Sequence, residues 1–355
     1  MLRFRIVLIG LIISLTACVE VQKSQKLKVD TDGILHVPAF KMPPSQLLSK
    51  DSRNILGPRG MVPWAWMGDC APKSSEHKSY QERVDLMRNC MDKKNAITFE
   101  KVRAIHDVNI IQEDRAGVNT YTITPSEGIT TANEHRVLLY FPASGFTENT
   151  NIKAQSGAAP LTALGKIKVI GVDYRKSYEY AYPAAQNDAV SVYRTLLKDY
   201  KPENIGIYGC SAGGALTGQT VPWFEKAGLP QAGALVMAGA AASRYAFGDS
   251  IYLSSGLSGM IAPEFNQTLV DVHPYYKGVA ATDEAAFPAA SADVLKQFPP
   301  SLLISSSRDY SLSSVIHTHS QLVKQGVAAN LHVWEGLPHC FQNKYPSMKE
   351  SREAF

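Results

Sequence analysis

The sequence predicts an α/β fold, a mostly parallel central sheet flanked by helices. Three observations carry this. Short apolar runs of strand length recur along the chain, at 137–141, 168–172, 205–208, 234–237, 302–304 and 331–334. Stretches long enough for a helix separate them, and that alternation implies parallel strands covered on both faces. Hydrophobic residues make up 45% and charged residues 19% of the 355, so a large core is feasible and disorder is excluded.

Taken in order, the first element is not part of the fold. Met1-Leu2-Arg3-Phe4-Arg5 is a positive n-region, followed by a ten-residue, largely apolar stretch over 6–15. A bilayer needs about 20, so the segment reads as a signal peptide. It ends Leu15-Thr16-Ala17-Cys18, which resembles a bacterial lipobox. The resemblance implies a leader over 1–17 and acyl chains such as palmitate on Cys18, anchoring the chain to a membrane. Val19 is not acidic, so in a host with two membranes the outer one is expected. Residues 18–45 lack periodicity and read as a tether; 46–355 read as the folded domain.

Residues 46–115 are mixed and expected to be partly helical, including 80–91. The compact run Val137-Leu138-Leu139-Tyr140-Phe141 is a buried strand, and 168–172 is another. Pro183 then opens a helix in which Ala189, Tyr193, Leu196, Leu197 and Tyr200 follow helical spacing. The strands at 205–208, 234–237, 302–304 and 331–334 complete the series. Near the end, Ser347-Met348-Lys349-Glu350 has the form of a capping box starting a short helix.

Charge excludes one class of function. The net charge of +4 falls to +2 without Arg3 and Arg5, and no run of five basic residues exists. A nucleic-acid partner has no electrostatic footprint here. No metal-ligand spacing is present, since His317 and His319 are two apart on an expected helix and face different directions. No cofactor is implied. With Cys18 assigned, an exported chain permits a disulfide, and Cys70 with Cys90 is the natural pair because both lie in one polar region. Cys210 and Cys340 are read first as small buried packing residues, with a redox link between them as the alternative.

The strand at 205–208 runs into Gly209-Cys210-Ser211-Ala212-Gly213-Gly214, with a helix-forming segment after it. This is a G-x-S-x-G nucleophile elbow, whose glycines permit a turn that side chains two before and two after the serine would block. A serine hydroxyl needs a base to take its proton. After such an elbow the partners come in the order acid, then histidine. Asp309 lies just beyond the 302–304 strand, and His339 just beyond 331–334. His332 lies within a strand, His317 and His319 on a helix, and Asp293 before its strand, so all four rank lower.

The chain is similar to the hormone-sensitive-lipase-like branch of the α/β-hydrolases, the bacterial acetyl-esterase and small-ester or lactone hydrolase type. Its most specific stretch is Val172-Asp173-Tyr174-Arg175, continuing through Tyr182-Pro183-Ala184-Ala185 to Asp188. That looks like the family's D-Y-R…P-F-P-A-A…D segment. Lys201-Pro202-Glu203-Asn204 leading to the elbow is also similar. The resemblance implies an α/β-hydrolase fold with a helical cap, built here from about 46–100 and 244–285. It also implies a serine carboxylic-ester hydrolase for small to medium acyl esters or lactones, acting through Ser211, Asp309, His339 and an acyl-enzyme.

One departure stands out. The family has H-G-G-G where this chain has Pro142-Ala143-Ser144-Gly145-Phe146. The oxyanion donors would be the N–H groups of Ala143, Ser144 and Ala212, but Ala and Ser resist backbone angles that glycine tolerates. In the cap segments Trp64, Trp66, Tyr245, Phe247, Tyr252, Tyr275 and Tyr276 suit either an acyl pocket or cap-to-body packing. Two alternatives stay open: an amidase or acyltransferase using the same triad, and a non-catalytic surface lipoprotein acting as a binding module.

Overall fold

The structure, a computed structural model, describes residues 28–37, 41–60, 70, 79–244, 247–258 and 273–355. The expectations for residues 1–17, Cys18, Val19, Trp64, Trp66 and Tyr245 lie outside these. The chain divides into two units, Met1–Pro43 and Pro44–Phe355. In the first, β1 (Lys28–Val29) and β2 (Leu35–His36) pair antiparallel, within the stretch expected to be an unstructured tether.

The second unit opens with helices α1 (Lys50–Gly60) and α2 (Tyr80–Ile105). A capping box starts α2: Ser79 Oγ accepts the Glu82 N–H, and the Glu82 carboxylate accepts the Ser79 N–H. The helix runs well past the expected 80–91. Beyond it the chain turns to strand, which the apolar pattern does not announce: β3 (Val108–Arg115) and β4 (Val118–Pro125) form an antiparallel hairpin. Ala116 and Gly117, both with positive φ, make its two-residue turn.

The remaining elements alternate as the sequence predicts. In order they are β5 (Val137–Phe141), α3 (Asn151–Gly165), β6 (Lys168–Val172), α4 (Ala184–Leu196), β7 (Ile205–Cys210), α5 (Ala212–Lys226) and β8 (Ala234–Ala238). Then come α6 (Asp249–Ser258), α7 (Ala292–Leu295), β9 (Ser301–Ser306), α8 (Leu312–Lys324), β10 (Ala329–Trp334), α9 (Phe341–Lys344) and α10 (Lys349–Ala354). The sheet order is β10-β9-β8-β7-β5-β6-β4-β3, parallel except at β6-β4-β3. Among the described residues no helix is long and apolar enough to cross a membrane.

Period-two alternation sends each strand into two cores. In β5, Val137, Leu139 and Phe141 face a cluster shared with α4, α5 and α8. Leu138 and Tyr140 face a second one with α3. In β7, Ile205 and Ile207 take the first side, and Tyr208 and Cys210 the second. Each buried Val, Leu or Ile contributes about 1.5–3 kcal/mol relative to an exposed one. With both faces filled, the loops where the parallel strands end carry the cavity described below.

The expected capping box at Ser347 does not form. Helix α10 begins at Lys349 with no side-chain cap. Glu350 instead accepts the Ser49 N–H at 3.0 Å and the Ser52 hydroxyl, tying α10 to α1. A buried tertiary partner outcompetes the local one.

Candidate active site

Strand β7 delivers Ser211 to a sharp turn before Ala212, the first residue of α5. Ser211 holds φ 58° and ψ −125°, a backbone that L residues resist. The strand and helix meet so closely that a Cβ on Gly209 would lie 2.0 Å from Gly213 O. One on Gly213 would lie 1.9 Å from Phe141 O. The glycines are thus a steric requirement of the elbow. Ser211 N–H donates to Ala238 O at 2.8 Å, which fixes the turn to β8. The Ala212 N–H lies in the first turn of α5, where helix geometry supplies no acceptor and favours negative charge.

His339 and Asp309 arrive from the loops after β10 and β9. His339 Nδ1 donates to Asp309 Oδ1 at 2.7 Å, with both side chains at most 2% exposed. Burial alone would raise the Asp309 carboxyl. The charge of His339, then hydrogen bonds from His339 and Ser311, outweigh it and hold Asp309 below its ordinary value. Burial lowers His339 below 6.5 against the pull of Asp309. The pair is therefore a neutral imidazole beside a carboxylate at neutral pH, leaving Nε2 as the basic atom.

In the 142–146 loop, the strain expected at Ala143 and Ser144 falls elsewhere. Positive φ occurs at Gly145 (57°) and Phe146 (52°), and neither Ala143 nor Ser144 has it. Replacing glycine at those two positions thus carries no left-handed penalty. Phe146 is held by packing, stacked on Tyr275 at 4.4 Å and edge-on to Tyr276 at 5.5 Å. Tyr174 OH donates to Pro142 O at 2.6 Å, so Ser144 Oγ donates to Tyr174 OH at 2.8 Å and accepts the Phe146 N–H at 2.9 Å. Arg175 N–H and Nε reach Asp188 at 2.7 and 2.8 Å, anchoring the segment behind the loop to α4. Ala143, Ser144, Ser211 and His339 all line one cavity of about 640 Å³.

The alpha/beta hydrolase fold family matches residues 138–343, a span that contains every element just described. The chain belongs to this family. A versiconal hemiacetal acetate esterase of Emericella nidulans is 28% identical over 125 residues, 35% of this chain and 42% of that protein. The match thus spans less than half of that relative's length. Among solved structures, esterase E25 is 24% identical with a TM-score of 0.77, covering 90% of this chain and 95% of that one. An esterase from the bacterial hormone-sensitive lipase family is 21% identical with a TM-score of 0.69, covering 86% and 95%. At these identities the likeness to solved structures is one of fold.

Several groups around the site of this α/β-hydrolase were invisible in its sequence. Tyr310 packs on His339 with ring centroids 4.4 Å apart and places its OH 3.2 Å from Nε2. Ser305 Oγ donates to Asp309 Oδ2 at 3.1 Å, and the Ser311 N–H and Oγ donate to Oδ1 at 2.9 and 2.7 Å. The Asp309–Ser311 spacing is that of an Asx turn, the one signal available beforehand. His273 Nδ1 accepts the Tyr275 N–H at 3.1 Å, and the ring hydrogen-bonds to the Gly145 backbone. Burial pushes this imidazole down to about 4.

The lower-ranked candidates stand away from the site. Asp293 is 89% exposed and pairs with Lys296; His317 and His332 are exposed, and His319 bonds to Ala329 O. Tyr275 and Tyr276 are buried under Phe146, so they serve packing. Cys70 and Cys90 are disulfide-bonded, with Cα atoms 5.5 Å apart. Cys210 and Cys340 are bonded too, at 6.3 Å, which corrects the expectation that they are separate packing residues.

Proposed function

We propose that this α/β-hydrolase is a serine carboxylic-ester hydrolase of the hormone-sensitive-lipase-like branch. The observation that carries it is Ser211 on a strained elbow, sharing a cavity with a buried His339–Asp309 pair. His339 Nε2 takes the Ser211 proton as Oγ attacks the ester carbonyl. Asp309 holds the tautomer and stabilises the imidazolium. The N–H groups of Ala212, Ala143 and Ser144 receive the oxyanion, each such donor being worth about 2.7–4 kcal/mol. His339 then protonates the leaving alkoxide, and water releases the acyl group by the reverse path.

Short to medium acyl esters or lactones are the substrate class that the resemblance suggests, and the cavity volume accommodates them. The lipobox-like Leu15–Cys18 motif supports a leader over 1–17, lipidation at Cys18 and a tether to a bacterial outer membrane. Metabolic palmitate labelling that survives in Cys18→Ala would remove the anchor from this reading.

The deciding assay is hydrolysis of p-nitrophenyl acetate, butyrate and octanoate by the form lacking residues 1–18, with Ser211→Ala alongside. We expect turnover that vanishes in the variant, and fluorophosphonate labelling at Ser211. Equal inertness of both proteins, with no labelling, would leave a binding module as the reading.

A further inference from the structure

Tyr310 follows Asp309 in the chain, yet its phenol reaches His339. The two rings lie 4.4 Å apart, centroid to centroid, and the Tyr310 OH is 3.2 Å from Nε2. His339 Nδ1 donates to Asp309 Oδ1 at 2.7 Å, so Nε2 carries the lone pair and the Tyr310 O–H donates to it. Tyr310 is only 2% exposed, and it lines the cavity shared by Ser211 and His339.

Its backbone is pinned on both sides. Ser250 Oγ, from α6, donates to Tyr310 O at 2.7 Å and accepts the Ser313 N–H of α8 at 3.0 Å. The Ser311 N–H donates to Asp309 Oδ1 at 2.9 Å. The direction of the phenol is thus built into the turn that also carries Asp309. A phenylalanine would stack on the imidazole equally well, so packing does not account for the hydroxyl.

The proton that leaves Ser211 changes what this hydroxyl can do. Once Nε2 has taken it, the imidazolium has no lone pair there, and the Tyr310 O–H loses its acceptor. A buried O–H left without one is costly. In the tetrahedral intermediate the leaving oxygen of the ester comes to Nε2–H to be protonated. That places it within reach of a hydroxyl 3.2 Å from the same nitrogen.

We infer that Tyr310 is a further catalytic residue, a second hydrogen-bond donor to the leaving oxygen of the ester. The inference rests on the esterase reading and adds to it. As the C–O bond breaks, its electron pair goes to the leaving oxygen, which takes the proton from Nε2. The Tyr310 O–H keeps its own proton and donates a hydrogen bond to that oxygen, offsetting the charge that builds before proton transfer is complete. With the alcohol gone, Nε2 is neutral again and accepts from Tyr310 as before.

The benefit depends on the leaving group. An alkoxide is strongly basic and gains most, whereas p-nitrophenolate carries its charge unaided. The test is Tyr310→Phe, which keeps the stacked ring, on ethyl butyrate and p-nitrophenyl butyrate. For ethyl butyrate kcat/KM should fall about ten- to a hundredfold, the span for losing a hydrogen bond to a charged group, while for p-nitrophenyl butyrate it should stay within about threefold. A tyrosine that only positions His339 would act on both esters alike, because both need the base in place for the attack.

Equal losses on the two esters, or no change on either, would overturn the inference and leave the esterase reading standing. Inertness of the unaltered protein toward both, with no fluorophosphonate labelling of Ser211, would bring down both. If the variant fails to fold, ethyl and 2,2,2-trifluoroethyl butyrate on the unaltered protein still decide. Their kcat/KM values should agree within about tenfold, since a leaving oxygen that is well held responds weakly to its own basicity. A larger gain for the trifluoroethyl ester would overturn the inference.

Discussion

At His339 the place of the proton is set by what surrounds the ring. Nδ1 is committed to Asp309, which is itself held by Ser305 and Ser311, so Nε2 is the atom left to act as base. In the proposed mechanism the active form is the neutral imidazole, and burial holds it below 6.5. Activity is therefore present above the folded value and lost as pH falls through it. We expect kcat/KM for an ester to stay level as pH drops through 6.5 and to fall only on the acid side. A pH–rate profile with its acid limb above 6.5 would contradict this. Asp309→Asn keeps the shape but removes the charge and the tautomer lock, and should lower kcat about 10⁴-fold. That Ser211, Asp309 and His339 come together around one cavity was legible because each sits just past an apolar strand, so chain order names it. The places of Tyr310 and His273 were not, because they are set by contacts made across the fold at no fixed spacing.

Two elements meet at the site through one covalent bond. The Cys210–Cys340 disulfide joins the end of β7, one residue before Ser211, to the loop after β10, one residue after His339. The proposed nucleophile and base are thus tied together across 130 residues of chain. Both cysteines are nearly fully buried, and packing came first in the sequence reading because small buried thiols need no partner, so nothing local signals the bond. The double variant Cys210→Ala/Cys340→Ala should lose about 2–5 kcal/mol of stability, lowering Tm, with kcat reduced as the relative placement of Ser211 and His339 relaxes. In a background that also carries Cys70→Ala/Cys90→Ala, reductant should reproduce the shift, and it should have no effect once all four cysteines are replaced. An unchanged Tm would show that the bond contributes no net stability. The loop after β5 depends on another element pair: Tyr174, at the end of β6, bonds both Pro142 and Ser144. Tyr174→Phe should cost about 1 kcal/mol and lower kcat more than it raises KM, because it loosens the proposed oxyanion donors. The β3–β4 hairpin is hidden in the sequence for a reason of its own. Its outer strand mixes half-buried with exposed positions and has no buried one, so it lacks the dense apolar run that marked the inner strands.

For the whole molecule, the parallel layers could be read because the inner strands β5 to β9 are buried on both faces. The attachment of the helical segments ahead of the sheet could not, because it joins residues far apart in the chain: Leu48 and Leu56 pack with Leu337, Phe341 and Met348, and α2 bonds the loops after β5 and β6. Helix α2 turns Met87, Met91, Lys94 and Thr98 toward the cavity. Polar side chains help to fasten it there: Asp92 accepts from Asn149 Nδ2 at 2.7 Å, and Arg88 makes the larger set of bonds. Arg88, only 7% exposed, donates to Thr147 O at 2.8 Å, to Ser177 O at 2.9 Å and to both Glu179 carboxylate oxygens. These acceptors lie in the loops after β5 and β6, next to the proposed oxyanion turn, so Arg88 sets where the cavity wall stands relative to the chemistry. Ser211 and His339 are carried by the sheet and do not depend on it. Arg88→Met should therefore destabilise the protein by about 1–3 kcal/mol through the carbonyls left unsatisfied, and should raise KM for an ester more than it lowers kcat. Arg88→Lys should recover only part of this, since an ammonium cannot span two carbonyls and a carboxylate as a planar guanidinium does. If kcat fell alone with KM unchanged, α2 would be acting on the reacting groups, and its assignment as the binding wall would be wrong.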